Sequence, residues 1–165
     1  SGRFLRRPVA GFYSAVDTVM LDQARRHALE GDLAATRSYL STAQDRARQG
    51  TASAGTRMRV HLMAAGLTLL EIEANGYQAG DALQPGLDEF DRGKQLAMNL
   101  GLRPYEVAAR FLHARLELAR ARAGDAQACE ERTLETFAEA RQLAEKIGFG
   151  FALGRITAWE AFAAS

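Results

Sequence analysis

An internal repeat limits the fold of this chain more than any other feature. Laid 47 residues further on, the segment from Leu87 to Gly101 returns as Leu134 to Gly148. Leu87 meets Leu134, Phe90 meets Phe137, and Gly93 meets Ala140. Lys94-Gln95-Leu96-Ala97 meets Arg141-Gln142-Leu143-Ala144, and Leu100-Gly101 meets Ile147-Gly148. A fainter copy ends at Gly50, and in all three an aromatic residue (Tyr39, Phe90, Phe137) stands 11 residues ahead of the closing glycine. This spacing describes the second helix of a recurring helix pair, stopped by a residue that tolerates left-handed backbone. One such pair cannot bury its apolar side alone, so successive pairs must stack.

Composition agrees with helices throughout. The 165 residues include 32 Ala and 20 Leu against only 5 Val and 3 Ile, the balance of a helix former rather than a sheet former. The length suits one domain, and 25% charged with 47% hydrophobic residues excludes a disordered chain. No run approaches the ~20 apolar residues of a membrane-spanning helix. A net charge of +1 gives none of the electrostatic footprint of a dedicated nucleic-acid binder. The single cysteine, Cys129, forbids an internal disulfide and fits a cytoplasmic setting. Ser1-Gly2 without a methionine reads as an expression remnant, and the pattern of Ile156, Trp159 and Phe162 runs to the end uncapped, which suggests a piece of a longer protein.

The expected map is an N-terminal extension over 1–11 and a single helical-repeat domain over 12–163. Helices are placed at about 12–30, 32–49, 56–75, 82–99, 104–123, 125–147 and 150–163. They form repeats of about 12–50, 56–101 and 104–148, with 150–163 left unpaired. Gly31-Asp32, Gly80-Asp81 and Gly124-Asp125 each join a helix-stopping glycine to an aspartate able to cap the next helix. The small residues from Gly50 to Gly55 form a loop that reads as mobile.

Gly31-Asp32-Leu33 followed by Tyr39 or Leu40 and then Ala43 resembles a tetratricopeptide-type repeat, and Gly124-Asp125 followed by Phe137 and Ala140 is a looser version. The departures are a repeat near 47 rather than 34 residues and a first helix without the family's tryptophan, glycine and tyrosine signature. The Ala140 to Gly148 segment is similar to the long repeats in the sensor arrays of LuxR-type bacterial activators of the maltose-regulator class, and to repeat regions attached to bacterial cyclases and kinases. The resemblance implies an all-α fold of antiparallel helix pairs stacked as a short right-handed superhelix, about seven helices in all. It implies a regulatory sensor or interaction role, and it carries no site residues with it.

Signs of catalysis are sparse. His27, His61 and His113 sit on three separate predicted helices, none in a metal-ligand spacing. His27, beside Ala24 and Ala28, reads as a packed core histidine. Gly148-Phe149-Gly150 with Leu153 misses the dinucleotide glycine pattern, and Thr51-Ala52-Ser53-Ala54-Gly55 misses the nucleophile elbow. The expectation is therefore no enzyme, no metal and no cofactor. Two polar stripes are the candidate binding residues: Arg110, His113, Glu117 and Arg120 first, then Arg57, His61 and Glu71, the latter sharing a face with Thr68 and Asn75. Such arginines grip carboxylate or phosphate in a bidentate manner. The plainer alternative, which the sequence favours, is a solvated face of i,i+3 and i,i+4 ion pairs worth about 0.2–0.5 kcal/mol each. The expected partner is a peptide, a protein or a small effector, held between successive first helices, with no direct nucleic-acid or membrane contact. Trp159 and Phe162 at the uncapped end are candidates for self-association or for packing on the rest of a parent chain.

Overall fold

The computed structural model describes residues 19–50, 52–78, 83–124 and 130–165. Among them are seven helices and no strand. They are α1 (19–29), α2 (Leu33–Arg48), α3 (Ala54–Ala74), α4 (Leu83–Leu100), α5 (Arg103–Arg122), α6 (Glu130–Lys146) and α7 (Gly150–Ala164). The expected boundaries hold to within about two residues wherever both ends are described. Residues 1–18, Gly80-Asp81, Asp125 and Cys129 lie outside the described residues.

Glycine ends the helices, as the repeat implies. Gly31, Gly50, Gly101, Gly124 and Gly148 all have φ between +66° and +81°. At Gly101 the amide bonds Met98 O, while Leu102 N–H reaches back to Ala97 O at 3.1 Å; Gly148 and Phe149 repeat the pattern. These paired bonds satisfy carbonyls that a helix end leaves open. The stop of α3 is Gly76, which the expected Gly80-Asp81 turn did not anticipate. Tyr77 follows it at φ +66°, uncommon for a bulky residue, and its N–H bonds Ile72 O at 2.9 Å. At the start of α3, Ser53 accepts a bond from Thr56 N at 3.1 Å, so Ala54 and Gly55, expected in a loop, are already helical.

Consecutive helices pack side by side, α3 also packs on α5, and α5 on α7, so these odd-numbered helices form one layer of the stack, called here the inner layer. The repeat is visible in the core. Phe90 is 2% exposed and packs among Ala65, Leu69, Ala109, Leu112 and Leu116 of the flanking odd helices. Phe137, fully buried, packs likewise against Ala114, Leu118 and Ala163. The first copy departs from this: Leu40 is the buried residue, while Tyr39 is half-buried and stacks on His27, their centroids 5.4 Å apart. α3 and α4 approach each other closely at two glycines. A Cβ built on Gly93 would fall 2.6 Å from Leu62 Cδ2, and one on Gly86 would fall 2.9 Å from Thr68 Cγ2. Glycine one helical heptad apart thus lets α4 sit against α3 at a distance alanine would not permit.

Candidate functional site

A concavity of about 550 Å³ opens on the inner face along α3 and α5. From α3 come Arg59, Leu62, Met63 and Gly66; from α5 come Pro104, Tyr105, Ala108, Leu112 and Arg115. Arg25 of α1 and Phe149 at the entry to α7 close its ends. The spacings explain the wall: 59, 62, 63 and 66 on α3, and 105, 108, 112 and 115 on α5, each follow one helical face. The floor is apolar and the rim carries three arginines with no carboxylate among the lining residues.

Two of these arginines also lock the helices that form the groove. Arg59 Nη2 donates to Asp22 of α1 at 3.0 Å, and Arg115 Nη2 donates to Glu73 of α3 at 2.5 Å. The Arg115 guanidinium further lies 4.4 Å from the Trp159 ring of α7 and 5.7 Å from Phe111. One side chain therefore joins three successive odd helices by an ion pair and a cation–π contact.

The first expected stripe lies elsewhere: none of Arg110, His113, Glu117 and Arg120 lines this groove. These residues turn toward the even layer and pair internally. His113 stacks on Phe90 of α4, centroids 4.8 Å apart, and its Nε2 lies 3.3 Å from Glu117 Oε1. Arg120 Nη1 approaches the same carboxylate oxygen at 3.4 Å. Glu117 is buried, and the bond from His113 together with the Arg120 charge draws its carboxyl below the ordinary glutamate range, against the opposing effect of burial. Arg110 bridges Glu106 of its own helix and Glu139 of α6, both at 3.4 Å. The ion-pair reading of this stripe is thus the one the geometry displays, although Glu106 and Glu117 are buried rather than solvated.

The second stripe is divided. Arg57 and His61 line a smaller notch of about 240 Å³ with Arg48 and Gln44 of α2 and with Glu89 and Arg92 of α4. Glu71 is absent from it and pairs instead with Arg37 of α2. Trp159 is half-buried against Phe111 and Arg115, while Phe162, 42% exposed, sits edge-on to Trp159 beneath Arg122. His27 is half-buried on Tyr39 rather than enclosed in the core.

Among the described residues no three His, Cys, Asp or Glu side chains gather as a metal site would require, and no helix is long and apolar enough to cross a membrane. The groove residues Arg59, Leu62, Gly66, Leu112 and Arg115 were not among the binding residues expected from sequence. Their shared period was the available signal, but α3 and α5 are covered on several sides, which blurs any division into apolar and polar faces. In comparisons with known proteins, no family model, curated protein or solved structure matches the chain.

Proposed function

We propose that this chain is a non-catalytic binding module, a tetratricopeptide-like helical array serving as the sensor or interaction domain of a larger bacterial regulatory protein. The observation that carries this reading is the groove between α3 and α5, whose apolar floor is framed by arginines and whose walls are held by inter-helix ion pairs. A rigid groove presents its side chains without an ordering cost when a partner arrives. Its occupant is a peptide segment or small effector that places apolar groups on Leu62, Met63 and Leu112.

Gly66 supplies the test. It lies mid-helix on the groove wall, and a Cβ there meets nothing within 4 Å. Gly66→Trp fills the groove without disturbing the core. Peptides selected from a random library on the wild-type chain should lose binding to Gly66→Trp; selected peptides that bind both proteins equally would overturn the assignment.

A second reading, self-association or packing on further repeats, is favoured by one feature of α7. Where α5 places Val107, Phe111 and Ala114 toward α6, the matching positions of α7 are Gly154, Ala158 and Ala161, all exposed. A further helix can lie close against these small side chains.

A further inference from the structure

We propose that the notch between the end of α2, the start of α3 and the middle of α4 binds a phosphate monoester. This site lies apart from the inner groove and shares no lining residue with it. Three arginines from three different helices, Arg48, Arg57 and Arg92, converge on it together with His61, and its wall holds a single carboxylate, Glu89.

The inner groove also gathers three arginines, but two of them, Arg59 and Arg115, are paired with carboxylates of other helices, Asp22 and Glu73. Other junctions likewise join a basic residue of one helix to an acidic residue of another: Arg37 with Glu71, Arg110 with Glu139, and Arg141 with Glu160. Among the described residues, the only such pair in the notch is His61 Nδ1 with Glu89 Oε2 at 2.5 Å. Among the described residues, the three guanidiniums meet near neighbours in sequence. Arg48 meets Asp45 at 3.1 Å, Arg92 meets Glu89 at 3.6 Å, and Arg57 Nη1 donates to Ala52 O at 3.0 Å. Each contact engages one nitrogen of a fork that carries five N–H donors, and exposed pairs of this kind are weakly held. The remaining donors are arranged for a ligand with several acceptor oxygens and two negative charges, which describes a phosphate monoester better than a single carboxylate. The Glu89 carboxylate is retained by the His61 N–H, which limits its repulsion of the incoming anion.

The experiment is calorimetric titration of the intact chain with inorganic phosphate and with glycerol 3-phosphate at low ionic strength, with sodium chloride as the control. Saturable binding of both phosphates is expected, weakened at least tenfold in Arg57→Gln/Arg92→Gln and unchanged in Arg26→Gln, an exposed arginine of α1 outside both concavities. Because both substituted arginines are exposed, the melting temperature should hold in each variant. Retention on vesicles containing phosphatidic acid, lost in the double variant, would assign the phosphate to a lipid headgroup. Binding of glycerol 3-phosphate without such retention assigns it to a soluble molecule. Phosphate that binds no better than chloride, or binding that survives the double substitution, overturns the proposal. Neither result touches the Gly66→Trp test of the inner groove.

Discussion

Arg115 of α5 donates to Glu73 of α3 at 2.5 Å while its guanidinium lies over Trp159 of α7. Both partners of the ion pair are mostly covered, at 15% and 17% side-chain exposure. Removing one side of such a pair strands the other charge in a poorly hydrated place. Arg115→Ala should therefore destabilise the chain by about 2 kcal/mol, drawing on both the stranded glutamate and the lost cation–π contact. Trp159 is the only tryptophan, so its emission reports the site directly. A red shift in Arg115→Ala, only partly restored in Arg115→Lys, is the expected outcome. Unchanged emission and melting temperature would show that the three helices are held without this contact.

Three glycines on adjacent helices should respond in opposite directions to the same substitution. Gly66→Ala adds a methyl to open space in a helix interior and should stabilise by about 0.5–1 kcal/mol. Gly93→Ala and Gly86→Ala force their new methyls toward Leu62 and Thr68. The first meets Leu62 Cγ at 2.8 Å and the backbone nitrogen of Leu62 at 3.1 Å, so relief requires α3 and α4 to separate. A loss of about 1–3 kcal/mol at Gly93 is expected from overpacking. At Gly86 the obstacle is only the Thr68 side chain, and the loss should be smaller. Thermal denaturation of the three variants measures the order.

The acid limb of stability should depend on Glu117. Its carboxyl is held below the ordinary value by the His113 bond and the Arg120 charge. A depressed folded value means that the unfolded chain binds the proton more readily. The stabilisation is thus fully present above the unfolded value of about 4.3 and is lost as pH falls through the lower folded value. Glu117→Gln should flatten the decline in melting temperature below about pH 4.3. An acid limb identical to the wild type would mean that Glu117 gains nothing from its neighbours.

The fold was legible because it rests on short-range signals. Closing glycines at 31, 50, 101, 124 and 148 each took up the left-handed backbone that the repeat required, and Phe90 and Phe137 fell into equivalent core positions. Gly76 escaped notice because Gly80-Asp81 offered a more familiar turn signature a few residues on. The candidate groove was not legible. Its residues come from α1, α3, α5 and the entry to α7, and only the stacking reveals that Arg59 and Arg115 share one face while Arg110, His113 and Glu117 share another. On a helix packed on both flanks, charge marks buried pairs as often as it marks the solvent side. Glu106 and Glu117 are the instances here, both buried within polar stripes.

At the far end of the stack, Trp159 and Ala158 stand one residue apart on α7 but face different surroundings. Trp159 points inward to Phe111 and Arg115, whereas Ala158 is exposed on the side where a further helix would lie. Trp159→Glu places a carboxylate against the Phe111 ring. Attraction to Arg115 offsets part of that cost, yet the aromatic packing is lost, and a decrease of about 2–3 kcal/mol in stability is expected. Ala158→Glu changes no internal contact of comparable size and should leave the melting temperature of a monomer near its wild-type value. If the outer face of α7 pairs with a second copy, Ala158→Glu should lower the mass seen by light scattering while the isolated fold survives. A wild-type protein that is already monomeric at high concentration would remove self-association through α7, leaving the inner groove as the surface on which function rests.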